Sequence, residues 1–232
     1  MSNNRKDIQR ARMWRYFLEA AVDVIEKEGI RNVTIRKIAD QAGFTSSTAY
    51  NYFRDLSHLK FFAAMRFTTD YIEDLPVYMR KGANTIEKWL YAWKCFCIYS
   101  FEQPEIYSVI FMEDLGSTPE DFLDEYYRIY KEDLIGLPEA IKPLVMEHSF
   151  AKRSATYIQS AVDEGMLEQK DVDFVADITL MIWKGMINTL MNKRRDFTKE
   201  EAIEKTLLYV YKNVMYLIPP EKQSEINVNL KL

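Results

Sequence analysis

The sequence predicts an all-α protein, with an N-terminal three-helix helix-turn-helix head followed by a larger helical domain. Three observations carry that reading. Apolar residues recur at three- and four-residue spacings along the chain, and no alternating run is long enough for a sheet. Gly and Pro number only seven each in 232 residues, too few for the turns of sandwich, barrel or Gly-rich phosphate-loop folds. Start and stop signals then divide the chain into helices that sum to roughly three quarters of its length, against a typical third.

The first helix spans residues 6–28, with Ile8, Ala11, Trp14, Phe17, Leu18, Ala21, Val22 and Ile25 on one face and Gly29 as its stop. Thr34 caps a short helix over 35–42 that ends at Gly43, and Thr45 caps the next over 46–52. Asp55 caps a longer helix from 56 to about 80, expected to bend or break at Pro76. Asn84 with Glu87 opens a helix to about 102, and Pro104 starts one to about 114. Thr118 and Pro119 start another to about 134, ended by Gly136 and Pro138. A long helix to about 164, one from Asp171 to about 193 and a boxed one from Thr198 and Glu201 to about 217 complete the series. The expected division is a head at 1–60, a helical domain at 61–218 and a loose tail at 219–232.

Composition narrows the function. Apolar residues are 48% and charged residues 28%, ordinary for a globular chain and incompatible with disorder throughout. Cys95 and Cys97, two apart on a helix, point to different faces and make no disulfide scaffold or metal pair. The start, Met-Ser-Asn-Asn-Arg-Lys, has no apolar run behind it, and no stretch of about 18 apolar residues is read. A cytoplasmic protein without a membrane partner is therefore expected. No metal-ligand spacing involves the two histidines, His58 and His148, and no nucleophile-elbow, dinucleotide or phosphate-loop motif is present, so neither an enzyme nor a cofactor is expected.

The net charge of −4 conceals an asymmetry. Residues 1–60 hold 11 Lys and Arg against seven Asp and Glu, whereas the remainder holds 20 against 28. A basic head on an acidic body points to a polyanion that meets the head alone. Within the head, residues 31–59 carry the chemistry. Ala39, Ala42 and Gly43 let two short helices approach closely, as a helix-turn-helix requires; an αα-hairpin inside a bundle is the alternative. The second helix offers Ser46, Ser47, Thr48 and Asn51, small hydroxyl and amide side chains suited to base edges and phosphates.

Residues 16–59 resemble the DNA-binding head of the TetR family of bacterial one-component transcriptional regulators. The resemblance rests on Ala20-Ala21, Gly29, Thr34, Ile38-Ala39, Gly43, Thr48, Tyr50, Tyr52-Phe53 and Leu59, in order and at the family's spacing. It implies a DNA-binding set of Thr34, Arg36, Thr45, Ser46, Ser47, Thr48, Tyr50, Asn51 and Tyr52. In that set Arg36 reads a base, Ser46, Ser47 and Thr48 face the major groove, and Thr34, Tyr50 and Tyr52 touch phosphates. Tyr50 can also be read as core, and Phe44 and Phe53 are taken as core. The family usually has a Lys at the start of the fourth helix; here Leu56 stands there, with Ser57, His58, Lys37, Arg54 and Lys60 as substitutes. The resemblance further implies a repressor bound to a palindromic double-stranded operator and released by a small-molecule inducer. A helical binding or adaptor protein that kept the fold and lost strong DNA binding is the alternative.

In the body, Trp89, Trp93, Phe96, Tyr107, Phe111 and Tyr126 are the expected lining of a largely apolar ligand cavity. Stripes holding Ala155, Ile158 and Val162, and Ile182, Met186 and Leu190, are the expected homodimer interface.

Overall fold

The computed structural model describes residues 2–113, 119–130, 142, 147 and 150–232, without the side chains of residues 2–7, 119–121, 124, 125, 150 and 151. Every regular element among the described residues is a helix. We number the α-helices α1 (Ser2–Glu28), α2 (Ile35–Ala42), α3 (Ser46–Tyr50), α4 (Leu56–Arg66), α5 (Thr69–Met79), α6 (Thr85–Glu102), α7 (Pro104–Phe111), α8 (Pro119–Ile129), α9 (Phe150–Ile158), α10 (Ser160–Asp163), α11 (Val172–Met191), α12 (Lys199–Leu217) and α13 (Pro220–Gln223). His148 and Asp114 lie outside the described residues, as do most of the ends expected near 134 and 138.

The chain divides into two compact units that do not follow the expected 1–60 and 61–218 boundary. One holds Met1–Thr69 with Glu105–Asp133, the other Asp70–Pro104 with Leu134–Leu232. In the first unit α1 packs on α2 and α4, α2 on α3, and α4 on α8. Its centre is aromatic: Trp14 lies 4.6 Å from Phe53 and 4.7 Å from Phe62, and His58 lies 4.8 Å from Phe62 and 4.9 Å from Phe122. Arg15 donates to the Ile129 carbonyl at 2.8 Å and Arg66 to the Tyr126 hydroxyl at 2.9 Å, fixing the end of α8.

The helix expected over 56–80 is two helices, and the break is not at Pro76. It falls at Phe67 and Thr68, where the Thr68 hydroxyl donates to the Met65 carbonyl at 2.8 Å and the Thr69 hydroxyl to Arg66 at 3.0 Å. Side chains that capture the last carbonyls of a helix compete with its continuation. Pro76 is buried inside α5.

In the second unit α6 is the central helix, buried through Trp89, Leu90, Trp93, Phe96 and Phe101, and packed by α9 and α12. Indole donors set the register: Trp89 Nε1 donates to Ser154 Oγ at 2.9 Å, and Trp183 Nε1 to Ser100 Oγ at 2.9 Å. The expected starts hold. Asn84 accepts from the Glu87 N–H at 2.9 Å, and Thr198 with Glu201 forms a full capping box. Gly82 passes so close to this start that a Cβ would lie 2.4 Å from the Lys88 nitrogen.

The C-terminal tail is not loose. The buried Glu87 carboxylate accepts from the Ala83 N–H at 2.7 Å and from the Asn227 N–H at 2.6 Å. The Tyr91 hydroxyl accepts from the Asn229 N–H at 3.1 Å, and Ile226 is buried. A carboxylate that satisfies two backbone donors ties both segments together.

The stretch Gln169–Met191 is long and apolar enough, by length and composition, to cross a membrane, which the sequence reading did not find. In the structure α11 packs against α9 and α12 and buries Val175, Ala176, Thr179, Trp183 and Ile187.

Candidate nucleic-acid interface

The interface is built from caps. Thr34 Oγ1 accepts from the Lys37 N–H at 3.3 Å and starts α2. Ile38 and Ala39 are fully buried, which fixes the opposite side of α2 outward. Gly43 takes a left-handed φ of 75°, cheap only without a Cβ, and turns the chain into α3. Thr45 Oγ1 accepts from the Thr48 N–H at 3.4 Å and shares hydrogen bonds with Ser47 Oγ at 2.8 Å and Thr48 Oγ1 at 3.0 Å. Ala49 is the residue of α3 that is fully buried.

The outward face of α3 therefore carries hydroxyls. Ser47 and Asn51 are exposed and Ser46 and Thr48 half-buried. Tyr50 is 55% exposed, so it is not core, and Phe44, taken as core, is exposed beside Tyr16 and Phe17. Tyr52 follows the helix, half-buried, with its ring 6.1 Å from Phe17. The Arg36 side chain is 86% exposed and sits 3.8 Å from Asp40, a surface pair worth ~0–1 kcal/mol.

The start of α4 differs from a phosphate-binding helix end. Leu56 is its first residue, and the N-cap Asp55 accepts from the His58 N–H at 2.8 Å, so a carboxylate already occupies the orphan donor. Burial pushes the Asp55 carboxyl up, but the His58 N–H and the Arg54 guanidinium outweigh it and hold it below the ordinary value. His58 is a core residue rather than a phosphate donor. It is 6% exposed, and its Nδ1 accepts from the Arg54 N–H at 3.1 Å. The charged substitutes are paired: Lys37 with Glu28 at 2.5 Å, Arg54 with Asp55 at 3.0 Å, and Lys60 with Glu113 at 4.0 Å, while Ser57 is half-buried at the start of α4.

In the second unit Trp89, Trp93 and Phe96 line one cavity of about 50 Å³ with Tyr71, Leu75, Met79, Ala92, Arg153, Ser154 and Tyr157. Burial, then the Glu164 charge, pushes the Tyr157 phenol up. Tyr107, Phe111 and Tyr126 do not line it. They belong to the first unit, where Tyr126 stacks 5.1 Å from Tyr130 and Tyr107 lies 6.1 Å from Phe111. Arg153, which donates to the Glu147 carbonyl at 2.9 Å, was missed. It lies far from the tryptophans in sequence, and no local signal joins them.

Of the expected dimer residues, Ile158 is fully buried and Met186 is 8% exposed, both in the core of their own chain. Ala155, Val162, Ile182 and Leu190 are half-buried. The outward apolar stripe of α11 instead runs through Phe174, Ile178, Met181, Ile182 and Gly185, with Phe174 51% and Met181 65% exposed.

A capped pair of short helices that turns a hydroxyl face outward, among described elements that are all helical, has the arrangement of a helix-turn-helix head. Residues 17–59 match the family model of bacterial regulatory proteins of the tetR family. The match covers the head alone, and the whole chain has the fold seen in solved structures described as TetR-family transcriptional regulators. Its structure is similar to RolR in complex with resorcinol, at TM-score 0.62 and 15% identity over 94% of this chain and 93% of that one. It is also similar to a protein of Syntrophomonas wolfei described as a TetR-family transcriptional regulator, at TM-score 0.58 and 16% identity over 92% and 99%. A third similar structure, from Mesorhizobium loti and of the same description, gives 0.53 and 17% over 89% and 96%. No curated protein matches by sequence. At these identities the likeness shows the fold.

Proposed function

We propose that this chain is a homodimeric transcriptional repressor that binds a palindromic DNA operator through α2 and α3 and releases it when a small ligand fills the body cavity. One observation carries the reading: the outward hydroxyl face of α3, with Ser47, Thr48, Tyr50 and Asn51 around the Thr45 cap. The set Thr34, Arg36, Thr45, Ser46, Ser47, Thr48, Tyr50, Asn51 and Tyr52 is the proposed contact surface. Two such heads must stand about 34–36 Å apart to enter successive major grooves.

The exposed stripe of α11 supports dimerisation, because apolar residues at helical spacing that no described residue covers fit a second copy. Met181→Glu places a charge there and should convert dimer to monomer in sedimentation, with helical content retained. An unchanged dimer removes α11 from the interface.

The cavity supports ligand release. Tyr71, Leu75 and Met79, one turn apart on α5, line it, and α5 begins three residues after α4 ends. At about 50 Å³ it is smaller than the roughly 150 Å³ that accepts benzene, so a ligand must widen it and thereby displace α5. The aromatic wall fits a small, largely apolar ligand.

The alternative, an adaptor with the same fold that has lost strong DNA binding, draws support from Leu56, from the Asp55 cap and from the pairing of Lys37 and Lys60. The discriminating experiment is selection of duplexes from a random pool by the full-length protein. Enrichment of a two-fold symmetric site supports the repressor; no enrichment supports the adaptor.

A further inference from the structure

Four cations of the head face a carboxylate of the same unit: Arg31 pairs with Glu105 at 3.1 Å, Lys37 with Glu28, Arg54 with Asp55 and Lys60 with Glu113. Arg10 is different. It is exposed on α1, its guanidinium carbon lies over the Tyr52 ring at 6.0 Å from the centroid, and among the described residues no carboxylate pairs with it. Tyr52 is a firm platform, because its ring is half-buried and rests near Phe17, which is fully buried. A guanidinium laid over a ring loses none of its five N–H donors, since the π-face takes no hydrogen bond from its edges. Tyr52 itself stands two residues past the end of α3, and its hydroxyl belongs to the proposed phosphate set. Lys6 stands one helical turn before Arg10 in the same helix, and the first 15 residues hold five basic side chains against Asp7 alone.

We propose that α1 forms a second phosphate-binding edge, in which Arg10, held over Tyr52, grips the DNA backbone beside the recognition helix. This rests on the operator-binding reading of the head. It supplies the full charge that Leu56 lacks at the start of α4, where the Asp55 carboxylate opposes an anion. A backbone contact carries no sequence information, so its loss lowers affinity for every duplex alike.

The test uses the full-length protein, a duplex enriched by the wild type from a random pool, and a scrambled duplex of equal length, with anisotropy read over a range of salt. Arg10→Ala and Arg10→Gln should each weaken binding several-fold on both duplexes and lower the slope of log affinity against log salt by about one unit. Arg10→Lys should keep the slope. Thermal melting of each variant by circular dichroism separates these losses from unfolding, and Arg10→Gln, which preserves the stem of the side chain, covers any loss of packing in Arg10→Ala. Unchanged affinity and slope in both variants overturn the edge, as does a loss confined to the enriched duplex. If the wild type enriches nothing and binds neither duplex, the operator reading fails and the edge fails with it; wild-type binding that Arg10 does not influence leaves that reading standing and removes only the edge.

Discussion

The two units solve the same problem, burial of large aromatics, in different ways. In the unit that holds the head, Trp14 is 1% exposed among Phe53, Phe62 and His58, and its indole Nε1 has no acceptor among the described residues. In the other unit two of the three buried tryptophans donate their indole N–H to a serine on another helix, Trp89 to Ser154 and Trp183 to Ser100. The first is held by ring shape alone and the second by shape plus a polar address. Packing without an address tolerates substitution by another ring; packing with one does not.

That contrast is broken most strongly at Trp14. Trp14→Ala should cost about 3–5 kcal/mol and unprotect the amides of α1 and α4 in hydrogen exchange. Trp14→Phe should cost less than Trp183→Phe by about 1 kcal/mol, because the latter also removes the donor to Ser100. The reverse order in denaturant unfolding would show that the indole donors contribute nothing to the difference.

The second prediction concerns the tail. Glu87→Ala removes a buried acceptor of two backbone N–H groups and should cost about 1.5–3 kcal/mol, with faster exchange at Asn227. A variant that exchanges as the wild type does would return the tail to the loose segment read from sequence.

The smallest effect is at Asp55. Its folded carboxyl titrates below the ordinary 3.8, so its contribution is complete above that value and is lost as pH falls through the lower folded value. Asp55→Asn keeps the cap acceptor without the charge and should flatten the acid limb of stability below about pH 4. An unchanged acid limb would place that dependence on other carboxylates.

The sequence made some features legible because they are local. Thr34, Thr45, Asp55, Asn84 and Thr198 each cap within three residues, and each cap is present. Other features depend on partners that sequence does not name. Pro76 is the stronger breaker by composition, yet the break follows from the Thr68 and Thr69 hydroxyls. The stripes that hold Ile158 and Met186 have the same period whether they meet their own chain or another; burial turns these two residues inward and leaves Ala155, Val162, Ile182 and Leu190 half-buried. Tyr107, Phe111 and Tyr126 share helical spacing with Trp89 and Trp93, and only the tertiary fold separates them into different units. Arg10 was visible as charge, while its seat on Tyr52 was not.

The central claim is that the hydroxyl face of α3 reads DNA. The direct measurement is binding of the wild type, Thr48→Ala and Arg36→Ala to the selected duplex and its scrambled counterpart at one fixed salt concentration. The account predicts a two-fold symmetric selected site, and a loss of about 1–3 kcal/mol on that site for each variant, with little change on the scrambled duplex. A folded, dimeric wild type that binds both duplexes equally, or variants that lose equally on both, would contradict it.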